Sequence, residues 1–123
     1  MTVHGELPTP LFDHNGLAVL SFVLSGQANV NRYQHLPNTI SPHYPIAKLV
    51  GTDNFTLTQG QVLIITPELG NITEIQSLTE NTVLLNIHLI NATNDIGSWY
   101  FPISPKPKQR HEAFFTQRIR RTQ

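Results

Sequence analysis

A chain of 123 residues supplies a single two-layer core and excludes a second domain of useful size. Charged residues make up 13%, about half the roughly 25% of an ordinary soluble domain, so Asn and Thr carry much of the surface polarity and the composition favours β structure with a fairly apolar exterior. The absence of cysteine excludes disulfides and thiol catalysis, and the lack of an apolar run of ~18 residues or of a charged-then-apolar leader points to a cytoplasmic chain with no membrane partner.

Met1 to Leu11 contains Pro8 and Pro10, which predicts an extended arm packing over the body rather than a strand in the middle of a sheet. Asp13 to Gly26, DHNGLAVLSFVLSG, runs from a polar segment into an apolar strand. Both faces of Leu17 to Leu24 are apolar, so this strand is expected to be covered on both sides. Gln27 to Tyr33 alternates as another strand. The three prolines of Gln34 to Pro45 then argue for an irregular loop. It carries His35, His43 and Tyr44, yet two histidines eight apart without a third strong donor do not make a metal site. Ile46 to Val50 resumes a strand, and Gly51-Thr52-Asp53-Asn54 predicts a turn before Phe55.

From Asn54 to Ile90 the breakers are too closely spaced for helices. A short alternating strand (Phe55, Leu57) is followed by a Gly60 turn, the apolar run Val62 to Ile65, a stop at Pro67 and a corner at Gly70-Asn71. Two further strands meet at Glu80-Asn81. In the last of them Val83, Leu85, Ile87 and Leu89 share one face, which reads as core. Asn86 and His88 on the other face then either point outward or line a partly polar pocket.

After a polar bend, Asn91 to Gly97, comes the aromatic cluster Trp99-Tyr100-Phe101. Neighbouring side chains alternate in direction, so at least one of the three is core, while a ring with a polar handle such as Trp99 suits a pocket wall or lid. Pro102, Pro105 and Pro107 mark a boundary. Gln109 to Arg121 fits a short amphipathic helix, with Phe115 and Ile119 at i, i+4. Residues 1–105 carry two basic and seven acidic groups, whereas 106–123 carry six basic groups and one acid. Without interleaved aromatics or a reading motif, this basic tail reads as a solvated linker and helix rather than a nucleic-acid surface.

The ordering of these elements, with a polar segment entering a strand that ends Val-Leu-x-Gly and then a Gly-x6-Pro stretch, a corner and two strands, resembles a cupin. Specifically, it resembles the N-terminal sensor domain of AraC-type transcription regulators, over roughly Phe12 to Ile90. The resemblance implies an all-β fold, a cupin-like jelly-roll barrel or sandwich, here with a short C-terminal helix. Residues 1–103 form the effector-binding domain, with 1–11 as its arm, and 104–123 the basic Pro-rich linker and helix. It also makes Gln34 to Pro45 an insertion.

Metal-binding cupins carry H-x-H-x3-E before the first Gly and a His after the second-motif Pro. The matching places here hold Asp13, Asn15, Val19 and Asn71. Two amides, a carboxylate and a valine are a poor set for a transition metal, so no metal, no cofactor and no enzyme activity are expected. The alternative, a sugar-modifying or metal-dependent cupin enzyme, lacks its ligands. The family reading is a domain that senses a small effector, often a carbohydrate, and dimerises, touching DNA only through helix-turn-helix units absent from this chain. The expected ligand-binding residues are Asp13, Asn15, Ser21, Asn71, His88 and Trp99.

Overall fold

The computed structural model describes residues 1–4, 7–13, 18–36, 46–66, 72–89, 95–109 and 111–122. Among them lie ten strands: β1 (Thr2–His4), β2 (Leu11–Phe12), β3 (Ala18–Ser25), β4 (Gln27–His35), β5 (Ile46–Thr58), β6 (Val62–Ile65), β7 (Ile72–Ser77), β8 (Asn81–Leu89), β9 (Asp95–Pro102) and β10 (Ala113–Thr122). The fold is all-β. No helix among the described residues is long and apolar enough to cross a membrane.

Four strands form an antiparallel sheet in the order β1-β8-β3-β6, and the other six close an antiparallel barrel in the order β10-β5-β4-β7-β2-β9. One core joins the two. Val19, Val23, Leu63, Ile65 and Leu84 from the sheet pack with Ala28, Val30, Leu57 and Ile75 from barrel strands. A second core, Leu11, Ala47, Leu49, Ile72, Tyr100 and Phe114, is made by barrel strands alone. Strand alternation explains how β4 serves both: Ala28 and Val30 face the first core, and Tyr33, on the opposite parity, meets the Phe114 ring edge-on at 5.6 Å.

The chain passes between sheet and barrel at tight corners that hold one another. Gly26 joins β3 to β4, and residues 78–80 join β7 to β8. The Leu78 amide donates to the Gln27 carbonyl at 2.7 Å, the Thr82 hydroxyl donates to the same carbonyl at 2.7 Å, and the Ser77 and Thr82 hydroxyls are bonded at 2.7 Å. Where β5 turns into β6, the Gly60 amide donates to Val23 of β3 at 2.9 Å. Buried polar atoms at these crossings are therefore satisfied.

Three expectations are corrected. The C-terminal helix is instead the strand β10, which pairs with both β5 and β9 and so closes the barrel. Its sequence has period two: Phe114 and Thr116 are buried while Phe115, Gln117 and Ile119 are exposed, so the i, i+4 pair Phe115 and Ile119 shares the outer face of a strand. A strand with a neighbour on each side satisfies its backbone and buries Phe114, which a lone helix with three apolar residues cannot match. The turn at Gly51 to Asn54 does not form. β5 runs through it, and the surplus residue is absorbed by a bulge where Arg32 faces Asp53 but Tyr33 faces Gly51. Finally, the apolar face of β8 is the outer one, since Leu85 is 48% exposed and Leu84 only 2%.

The arm expectation agrees with β1 as an edge strand, paired only to β8. Residues 37–45, with His43 and Tyr44, lie outside the described residues, while Gln34 and His35 belong to β4.

The two corner glycines set up a contrast. Both have positive φ, but a Cβ on Gly26 meets the Asn81 carbonyl oxygen at 2.5 Å, whereas one on Gly60 meets nothing within 4 Å. Gly60→Ala should cost about 1 kcal/mol, the conformational penalty alone, and Gly26→Ala at least about 2–3 kcal/mol more, because backbone must move. Urea unfolding of the two variants checks the difference.

Candidate functional site

The inner face of the four-stranded sheet is built row by row from strand register. Ser21 of β3 stands between Leu63 of β6 and Asn86 of β8, and Val19 stands between Ile65 and His88. Each row therefore carries one polar side chain from β8 beside apolar or hydroxyl neighbours. Facing them, Phe12 of β2 pairs with Trp99 of β9, their rings edge-to-face with centroids 6.3 Å apart. Met1, Thr9 and Pro10 of the N-terminal arm complete a cavity of about 230 Å³ lined by Phe12, Val19, Ser21, Ile65, Asn86, His88 and Trp99.

The arm is tied down at both ends. The Thr9 amide donates to the Ile75 carbonyl at 2.8 Å, the Ile75 amide donates to the Thr9 hydroxyl at 2.9 Å, and the terminal ammonium of Met1 donates to the Leu84 carbonyl at 2.8 Å.

The chemistry of the cavity is that of a neutral polar strip on apolar walls. Ser21 donates to the Asn86 Oδ1 at 2.7 Å, so the serine is left with its acceptor lone pairs and the amide with its two N–H donors. His88 adds an imidazole along the same strand. One hydroxyl, one amide and one imidazole suit hydroxyl groups of a ligand, and the mostly apolar surround with a few placed polar groups is the usual character of a small-molecule site. Pockets for drug-sized ligands run to roughly 300–1,000 Å³, so this one suits a smaller molecule, about a single sugar ring.

Three of the six expected residues, Ser21, His88 and Trp99, meet here. Asp13 does not line the cavity. Its Oδ1 accepts from the Ser98 amide at 2.7 Å and its Oδ2 from the Tyr100 hydroxyl at 2.6 Å, which makes it an anchor between β2 and β9. Asn15 and Asn71 lie outside the described residues. Sequence reasoning missed Phe12 as a wall, and left Asn86 open between pointing outward and lining a partly polar pocket. The signal was the Asn86, His88 alternation on one face of β8, of which only His88 was taken as a site residue.

A second, larger basin of about 440 Å³ opens among Asn31, Tyr33, Asn54, Lys106 to Gln109, Glu112 and Phe114. Its rim is a charged connector, and Lys106 pairs there with the buried Glu74 carboxylate. Burial, and then the Glu74 charge, push the Tyr33 phenol up to about 12. Burial, followed by the Asp13 carboxylate, raises Tyr100 as well. Burial and then Arg118 hold the His35 imidazole below its usual range. The cavity under the arm is the better candidate, because Ser21 is buried and its bond to Asn86 across two paired strands fixes their geometry, whereas the basin is bordered by long flexible side chains.

No protein-family model matches this chain, and no curated protein sequence matches it at a significant level.

Ser21→Ala should cost about 1–3 kcal/mol, since it leaves the Asn86 carbonyl oxygen without its donor, and a double Ser21→Ala, Asn86→Leu variant should recover part of that loss in a urea titration. The tyrosines give a pH dependence. Both phenols ionise later in the folded than in the unfolded chain, so their contribution is intact below about pH 10 and is lost as the pH rises through the Tyr33 value of about 12. Unfolding free energies measured between pH 9 and 12 should fall, and Tyr33→Phe should flatten that fall.

Proposed function

We propose that this chain is the effector-sensing and dimerisation domain of an AraC-type transcription regulator, working in the cytoplasm, with a cupin-like jelly roll as its scaffold. DNA is contacted through a domain outside this chain. The effector is a small neutral molecule, and a carbohydrate fits best. The observation that carries this reading is the cavity itself: Ser21, Asn86 and His88 offer hydrogen bonds on one wall and the Trp99 and Phe12 rings a stacking surface on the other, the pairing of groups that a sugar ring requires. The donor set includes one imidazole and no carboxylate among the lining residues, so the site is proposed to bind rather than to catalyse.

An effector acts only through a difference in its affinity for two arrangements of the sensor. The moving part proposed here is the N-terminal arm. Met1, Thr9 and Pro10 line the cavity, so a ligand that touches them stabilises the closed arm.

A thermal-shift screen against monosaccharides and divalent metals, each with and without chelator, tests this reading. A sugar present at about 100 times its dissociation constant adds roughly 2.7 kcal/mol, enough to raise the midpoint by several degrees in a domain this size. The expected result is a sugar-specific shift that survives chelation and falls at least about tenfold in apparent affinity in Asn86→Ala or His88→Ala. A shift produced only by metal and abolished by chelator would overturn it.

A further inference from the structure

The six-stranded barrel holds a buried ion pair that the cavity under the arm does not use. Strand register puts Glu74 of β7, Asn31 of β4 and Asn54 of β5 in one cross-strand row, on the face of β4 that also carries Tyr33. Glu74 is 7% exposed. Its Oε1 accepts from the Asn31 side-chain amide at 3.4 Å, and its Oε2 accepts from the Lys106 ammonium. That lysine comes from the connector between β9 and β10, and its side chain is 38% exposed. A buried carboxylate is thus neutralised by a long, flexible side chain reaching in from the rim. Beside the pair lies the basin of about 440 Å³. Its walls include the two side chains bonded to that carboxylate, Asn31 and Lys106, but not Glu74 itself. The lysine therefore stands between basin and carboxylate, and moving it aside opens Glu74 to the basin.

We propose that this basin is a second ligand site, for a small molecule carrying a primary ammonium group, with Lys106 as a built-in occupant that the ligand displaces. The lysine already demonstrates the chemistry, since its own ammonium is what satisfies the buried carboxylate. An ammonium brings three N–H donors, and Asn31, Asn54 and Tyr33 line the space around it with acceptor oxygens. The Tyr33 and Phe114 rings, edge-to-face at 5.6 Å, give an apolar floor for the carbon body attached to the nitrogen. The basin is larger than one ammonium requires and falls within the roughly 300–1,000 Å³ of small-molecule pockets. At its rim Lys108 and Glu112 offset each other in charge, so Glu74 supplies the selecting charge. A divalent cation is served less well: it takes about six or more oxygen ligands, and no group of three or more His, Cys, Asp or Glu that could hold a metal occurs among the described residues.

The site is separate from the cavity under the arm, so it stands or falls independently of the sensor reading. The test is a nuclear magnetic resonance titration with n-butylammonium chloride of the wild-type chain, of Lys106→Met, and of a double Lys106→Met, Glu74→Gln variant. Methionine removes the tethered charge, and glutamine then removes the charge left behind, so the double variant holds no unpaired ion. In Lys106→Met the Asn31 and Asn54 side-chain amides should shift and saturate. The wild type should show the same changes at concentrations at least about tenfold higher, because Lys106 competes for the carboxylate, and the double variant should not respond. n-Butanol, which lacks the charge, and tetramethylammonium, which lacks N–H donors, should shift neither amide. Lys106→Met leaves a buried charge unpaired, so butylammonium should also raise its thermal midpoint where tetramethylammonium does not, a readout that serves even if the variant folds only in part. A response that persists in the double variant, a wild type that never responds, or a Lys106→Met midpoint indifferent to butylammonium would overturn the proposal and leave Lys106 as a tie for the connector alone.

Discussion

The register of β3 against β8 is the constraint on which the rest of the molecule depends. Ser21 lies opposite Asn86 and is bonded to it at 2.7 Å. That pairing fixes which parity of each strand looks inward. A slip of one residue would turn Leu20, Phe22, Leu85 and Ile87 into the interior and put Ser21, Asn86 and His88 on the surface, destroying cavity and outer face together. The bulge between Val23 and Ser25 and the corner at Gly26 lock that register from one end. Substituting Gly26 threatens more than a turn for this reason, since the glycine sits against Asn81 and Thr82, where β8 begins.

The three strands β6, β3 and β8 carry two faces of different character. On the inner face the rows Leu63, Ser21, Asn86 and Ile65, Val19, His88 meet the arm, Phe12 and Trp99. On the outer face lie their sequence neighbours, the rows Ile64, Leu20, Ile87 and Val62, Phe22, Leu85. The arm meets the sheet at Met1, which lines the cavity and donates to the Leu84 carbonyl of β8. The barrel supplies the rigid base, its own core closed by β10 and by the Asp13 clamp on Tyr100.

How much of this was legible in the sequence depends on how local the deciding interactions are. The strands from Phe55 to Leu89 were legible because Gly60 and the Glu80-Asn81 turn bound short β-branched runs. The tail was not. Phe115 and Ile119 satisfy a helical spacing and a strand spacing equally, and only the tertiary fact that β5 and β9 leave a gap for a tenth strand decides between them. The Gly51 to Asn54 stretch has turn chemistry but lies opposite a long β4, whose ladder outweighs it. The face of β8 was inverted for a third reason: burial was inferred from apolarity, and here the apolar face is the exposed one. Asp13 was placed in the pocket by family register, yet one residue beyond β2 its carboxylate finds the Ser98 amide and Tyr100 hydroxyl instead.

The most direct measurement is a nuclear magnetic resonance titration of isotope-labelled protein with the sugar that gives the largest thermal shift. Chemical-shift changes should concentrate on the Asn86 side-chain amide, the His88 ring, the Trp99 indole and the Thr9 backbone. Changes centred instead on Asn31, Asn54 and Lys106 would move the ligand to the open basin of the barrel and contradict the assignment of the cavity under the arm.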